Sequence, residues 1–81
     1  MISVVQIKAA RNMLGWSATE LAEKIGASPA TIKRYELQEG IPAAKAAILH
    51  SIQKALESEG IEFIGDPLKN PGVILHLGNE P

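Results

Sequence analysis

The chain has 81 residues and a formal net charge of −1, with 46% hydrophobic residues but only 4% aromatic ones. Such a length gives one domain with a small, aliphatic core, too little for two lobes around a cleft, and the absence of cysteine excludes disulfides, thiolate zinc sites and cysteine nucleophiles. The opening MISVVQIKAAR lacks the order of a signal peptide, and no apolar run approaches the ~20 residues of a membrane span, so a soluble cytoplasmic protein without membrane contact is expected. The near-neutral average conceals an asymmetry: residues 1–58 carry seven basic and five acidic groups, residues 59–81 one and four. A strongly basic nucleic-acid coat is thereby excluded, and a modest cationic surface is confined to the N-terminal part.

In chain order, Ser3 precedes an apolar-periodic run and Gln6 follows three residues later, the spacing of a capping box, with Ile2 and Ile7 at the staple positions. The run continues through Ala10, Met13 and Leu14 to Gly15, a residue suited to a helix end. Ser17-Ala18-Thr19-Glu20 is a second capping box, stapled by Trp16 and Leu21, and its helix stops at Gly26. Only Ala27 separates that stop from Ser28-Pro29, a cap followed by proline at the first helical position, where its missing N–H costs nothing. The third helix runs to Glu36 or Leu37. Gly40-Ile41-Pro42 marks the start of a fourth over residues 43–58, with Ile48, Leu49, Ile52, Ala55 and Leu56 as its buried stripe and Gly60 as its stop. The period then changes. Ile61–Ile64 and Val73–Leu77 read as strands of an antiparallel hairpin around the turn-rich loop 65–72.

Two short helices joined by so tight a turn cross at a large angle, as in a helix-turn-helix. Because Ile32 and Tyr35 face inward, Pro29, Ala30, Lys33 and Arg34 face outward, and the DNA major groove is wide enough to admit such a helix. Other chemistry finds no footing. Ser17 and Ser28 read as caps rather than nucleophiles, and Trp16 as a staple rather than a base-stacking platform. His50 and His76 have no partner at a ligand spacing. Glu57, Glu59 and Glu62 gather at a helix end with no pocket. No catalytic residue, metal site or cofactor is expected, and the protein is not expected to be an enzyme.

The run Leu14-Gly15-Trp16-Ser17, Glu20 to Ser28, Thr31-Ile32 and Tyr35-Glu36 resembles the Cro/repressor (XRE) family over about residues 4–57, and the GIEFI and GVIL segments resemble the tail of its short bacterial members. The resemblance implies a mainly α fold: a lambda-repressor-like, four-helix DNA-binding domain at residues 1–59, with a β-hairpin extension at 60–81 in the same compact unit. It further implies that Pro29, Ala30 and Arg34 read bases, that Thr31 and Lys33 lie near the groove wall with Ser28 and Gln38 on the same face, and that Ser17, Ala18 and Thr19 sit over a phosphate. Arg11 and Glu36 fall on positions that commonly form an ion pair, a phosphate contact being the other reading of Arg11. Three departures from the family pattern stand out: Ala18, and Pro29 with Ala30, stand where polar side chains are frequent, and Leu37-Gln38-Glu39 where basic residues are. The expected function is a homodimeric regulator on an operator in double-stranded DNA, with the hairpin as a candidate dimerisation element. The alternative is a protein-interaction module, such as an antitoxin or anti-repressor, with a small protein partner.

Overall fold

Ser3, Ser17 and Ser28 each stand in extended conformation at a helix N-cap, and each side chain accepts from the amide three residues ahead. In the computed structural model of the chain, which describes residues 1–78, the helices they open are α1 (Val4–Met13), α2 (Ala18–Ile25) and α3 (Pro29–Glu36). The reciprocal bonds of the capping box are present at the first two, through Gln6 and Glu20. A fourth helix, α4 (Ala46–Glu57), and an antiparallel hairpin of β1 (Ile61–Ile64) and β2 (Gly72–Leu75) complete the fold.

The connection between α2 and α3 is a Schellman-type stop. Gly26 takes φ 73°, the Ala27 amide donates to the Ala22 carbonyl at 2.9 Å, and the Gly26 amide donates to Glu23 at 3.4 Å. Ala27 is the only residue between that stop and the Ser28 cap, so α3 leaves at a steep angle, and α2 packs on both α3 and α4. Leu21, Ala22, Ile32, Ile52 and Leu56 fill the centre at 1% exposure or less. Ile7 and Ala10 close it from α1, with Ile2 just ahead of that helix.

Two boundaries differ from the sequence reading. The fourth helix begins at Ala46, not residue 43. Alanines favour a helix, but nothing in 41–45 caps one: Lys45 is an N-cap without a side-chain bond. Instead the Ala43 amide donates to Gln38 Oε1 at 2.7 Å, Pro42 is buried, and Ile41 and Ala44 lie against the core, which holds this stretch outside the helix. The second strand spans 72–75, not 73–77. Its partner strand begins only at Ile61: the His76 amide bonds the carbonyl of Gly60 at 2.9 Å, in the turn by which the chain leaves α4. Gly60 has φ 99°, and a Cβ there would lie 2.8 Å from the His76 carbonyl oxygen, so only glycine fits. Leu77, beyond the last rung, is 80% exposed. Positions 79–81, the last three of the extension, lie outside the described residues.

The hairpin sits on α1 and α4. Ile61, Phe63, Val73 and Leu75 share its inner face against the core, and Glu62, Ile64 and Ile74 its outer face. One polar side chain fastens it. Gln6 is 2% exposed; its Oε1 accepts from the Ser3 amide at 3.0 Å, while its Nε2 donates to the carbonyls of Ile64 at 3.2 Å and Gly72 at 3.0 Å. Gln6→Ala would strand the Ser3 amide, release both carbonyls and open a cavity. The expected loss is about 2–4 kcal/mol in urea unfolding, with faster hydrogen exchange across 61–64 and 72–75. Unchanged stability would remove Gln6 from this role.

A second tie joins α1 to α3. Arg11 Nε and Nη2 donate to Glu36 Oε2 at 2.8 Å and Oε1 at 2.9 Å, and Nη1 donates to the Trp16 carbonyl at 2.8 Å. The side chains are 15% and 11% exposed. The hydrogen bonds to Glu36 raise the Arg11 pKa, burial opposes them, and the carboxylate charge adds to the rise; the guanidinium stays charged throughout the stable range. Arg11→Met would leave a half-buried carboxylate unpaired, at an expected cost of about 2–4 kcal/mol. Arg11→Met with Glu36→Leu should recover part of that loss in thermal melts. A double variant no more stable than Arg11→Met would show that the orphaned charge is not the source of the loss.

Candidate nucleic-acid interface

The candidate surface is built by α3 and the start of α2. With Ile32 and Tyr35 in the core, α3 turns Pro29, Ala30, Lys33 and Arg34 to solvent, and all four are exposed. Ser28 holds the start of this helix twice over. Its Oγ accepts from the Thr31 amide at 3.3 Å and shares a hydrogen bond with Thr31 Oγ1 at 2.9 Å, so both hydroxyls are engaged with each other. Thr31 is half-buried and Ser28 exposed.

Electrostatics separate the cations. Among the described residues the contacts of basic side chains with carboxylates are Arg11 with Glu36 and His76 with Glu62, so Lys33 and Arg34 enter none. Glu36, two residues beyond Arg34, has both oxygens on Arg11. The Lys24 ammonium lies 5.2 Å from the centre of the Trp16 ring, and the Arg34 guanidinium 5.6 Å from that of Tyr35. The exposed face of α3 thus carries two positive charges that no carboxylate of the described residues neutralises.

At the start of α2, Ser17 and Thr19 are exposed and Ala18 is half-buried against the core. The Ser17 amide donates to Glu20 Oε1 at 2.8 Å, and the Ser17 hydroxyl oxygen accepts from the Glu20 amide at 3.0 Å. The amides of Ala18 and Thr19 therefore remain for an anion, beside a carboxylate already in place. Gln38, on the loop after α3, is half-buried with its Oε1 on the Ala43 amide, which leaves its Nε2 as the free donor. Two features of this surface escape a reading of the sequence. Glu20 is visible as a capping partner, but its charge is not weighed against a ligand. Tyr35 is visible as a core residue, but not as a support for its neighbour.

The remainder of the described residues holds no group of His, Asp or Glu that could bind a metal ion, and no helix long and apolar enough to cross a membrane. Shallow clefts lie between the α2–α3 turn and the first turn of α4, and between Met1 and α4, each lined by residues of these elements without a cluster of titratable groups. No curated protein matches the chain. A family model, described as Helix-turn-helix, matches residues 7–49, more than half of the chain, from within α1 through α2 and α3 to the first turn of α4. With α2 and α3 crossing over a one-residue turn inside that match, the chain belongs to the helix-turn-helix family of Cro/repressor (XRE) type, a family of DNA-binding regulatory proteins.

Proposed function

We propose that the protein is a sequence-specific transcriptional regulator of the cytoplasm that binds an operator inverted repeat as a homodimer, with α3 in the major groove. Residues 1–59 act as the DNA-binding unit and 60–81 as an extension available for dimer contacts. The observation that carries this reading is the outer face of α3, where Lys33 and Arg34 stand exposed and paired with no carboxylate among the described residues, while Ile32 and Tyr35 anchor the helix. Arg34 is the base-reading side chain, Lys33 a phosphate contact, and Pro29 and Ala30 supply apolar contact such as to a thymine methyl. Thr31, Ser28 and Gln38 line the groove wall, and the Ser17 to Thr19 backbone meets a phosphate. Few polar readers per protomer make a second half-site valuable. The exposed Ile64 and Ile74 offer apolar surface for a partner protomer. No catalytic group, metal or cofactor enters this function.

Selection from random duplex DNA tests the reading. The expected product is an inverted repeat with half-sites about one helical turn, ~34 Å, apart. Arg34→Ala should weaken operator binding by about 1–3 kcal/mol and relax one position, whereas Lys33→Ala should weaken all sequences alike and lower the salt slope by about one. No enriched repeat, together with unchanged binding by Arg34→Ala, would remove the reading. A stoichiometric small protein copurifying in that case would favour the antitoxin or anti-repressor module. The observation on that side is Leu37, 86% exposed on the loop after α3.

The carboxylate at α2 generates a separate expectation. Glu20→Gln keeps an acceptor for the Ser17 amide but removes the negative charge beside the proposed phosphate. Duplex DNA should bind up to about fivefold tighter at low salt, from ~1 kcal/mol between like charges near 4 Å in water, and the gain should vanish at high salt. Folding stability should fall by less than about 1 kcal/mol through the lost helix-dipole contact. Unchanged DNA affinity at low salt would place the phosphate elsewhere.

A further inference from the structure

Arg34 and Tyr35 are neighbours in sequence yet lie in different surroundings. Tyr35 is 5% exposed, one wall of the core, while Arg34 is on the surface. The guanidinium carbon is 5.6 Å from the centre of the Tyr35 ring, within the distance at which an aromatic quadrupole holds a cation. A guanidinium resting on a ring keeps its N–H fork free at the edge. The carboxylate closest to it in sequence, Glu36, is spent on Arg11 with both oxygens and does not draw the fork away. Lys33 has no such support; the other cation–ring contact among the described residues joins Lys24 to Trp16. Of the two cations on the exposed face of α3, one lies over the ring of a core residue and the other, among the described residues, over none.

We propose that Tyr35 is the positioning residue for Arg34, and that the guanidinium so aimed reads a guanine, through O6 and N7, at one fixed position of each half-site. The inference rests on the DNA-binding reading above and gives it a base. A planar fork with two parallel donors matches the two adjacent acceptors that guanine presents in the major groove. A fork already held on a ring also loses less rotamer freedom when it docks. The ring face does the holding, so the phenol hydroxyl is dispensable.

The experiment is selection and titration on duplex DNA with four full-length proteins: wild type, Tyr35→Phe, Tyr35→Leu and Arg34→Lys. Wild type and Tyr35→Phe should enrich the same invariant G·C pair in each half-site. Tyr35→Leu fills the core without a ring. It should bind about threefold to tenfold more weakly, with the loss of sequence preference confined to the guanine position. Arg34→Lys should lose that preference while keeping binding to unrelated DNA. In the free protein, the Arg34 side-chain proton resonances should be displaced by the ring in wild type and Tyr35→Phe, a readout that holds even if Tyr35→Leu fails to fold. Guanine preference surviving in Tyr35→Leu or Arg34→Lys, a uniform loss across all positions in Tyr35→Leu, or undisplaced Arg34 resonances in wild type would overturn the inference. Wild type enriching a repeat without an invariant guanine overturns this inference alone; wild type enriching nothing overturns the DNA-binding reading with it.

Discussion

Between the left-handed glycine that ends α2 and the serine that caps α3 stands a single alanine, and the rest of the molecule is arranged around the crossing this enforces. Two helices so closely joined cannot lie side by side, so neither can bury its apolar stripe against the other alone. Leu21 and Ala22 meet Ile32 on one side and α4 on the other, and α1 closes the remaining opening with Ile7 and Ala10. The crossing also decides what is left outside. A helix held by two inward residues, Ile32 and Tyr35, presents its opposite face as a ridge, which is the shape a groove receives.

Charge is divided by the same geometry. Arg11 is consumed by structure, bonded to Glu36 and the Trp16 carbonyl, and Lys24 lies over the Trp16 ring. Consuming Glu36 in this way has an effect at a distance, because a free carboxylate two residues from Arg34 would compete with any anionic ligand for its guanidinium. A tie between α1 and α3 therefore also clears the field on the outer face of α3. Few cations remain for a ligand, and each must be placed well to count.

The legible parts of the fold are those decided within a few residues. Ser3 with Gln6, Ser17 with Glu20, and Ser28 with Pro29 announce their helices because a cap and its partner are three residues apart or fewer. What the chain does at 43–45 is not legible in this way. Its alanines favour a helix, but the amide of Ala43 is taken by Gln38 and the flanking residues are held by the core. The end of β2 is likewise set by a distant partner, Gly60, and the second role of Gln6 by carbonyls 58 and 66 residues away. At the candidate interface, the outward face of α3 follows from helical period alone. The mutual engagement of Ser28 and Thr31, the occupied oxygen of Gln38 and the support of Arg34 by Tyr35 depend on distances that spacing does not encode.

The attachment of the hairpin has a consequence for its variability. Gln6 grips main-chain carbonyls, which every residue type possesses, rather than any side chain of the hairpin. The docking is therefore blind to the identity of the residues at 64 and 72, apart from the room each needs, and it asks nothing of the outward positions. Glu62 and Ile74 can be exchanged without loosening that grip. The hairpin is in this sense a mount with an interchangeable faceplate: its outer surface can change while the helices it is mounted on stay undisturbed.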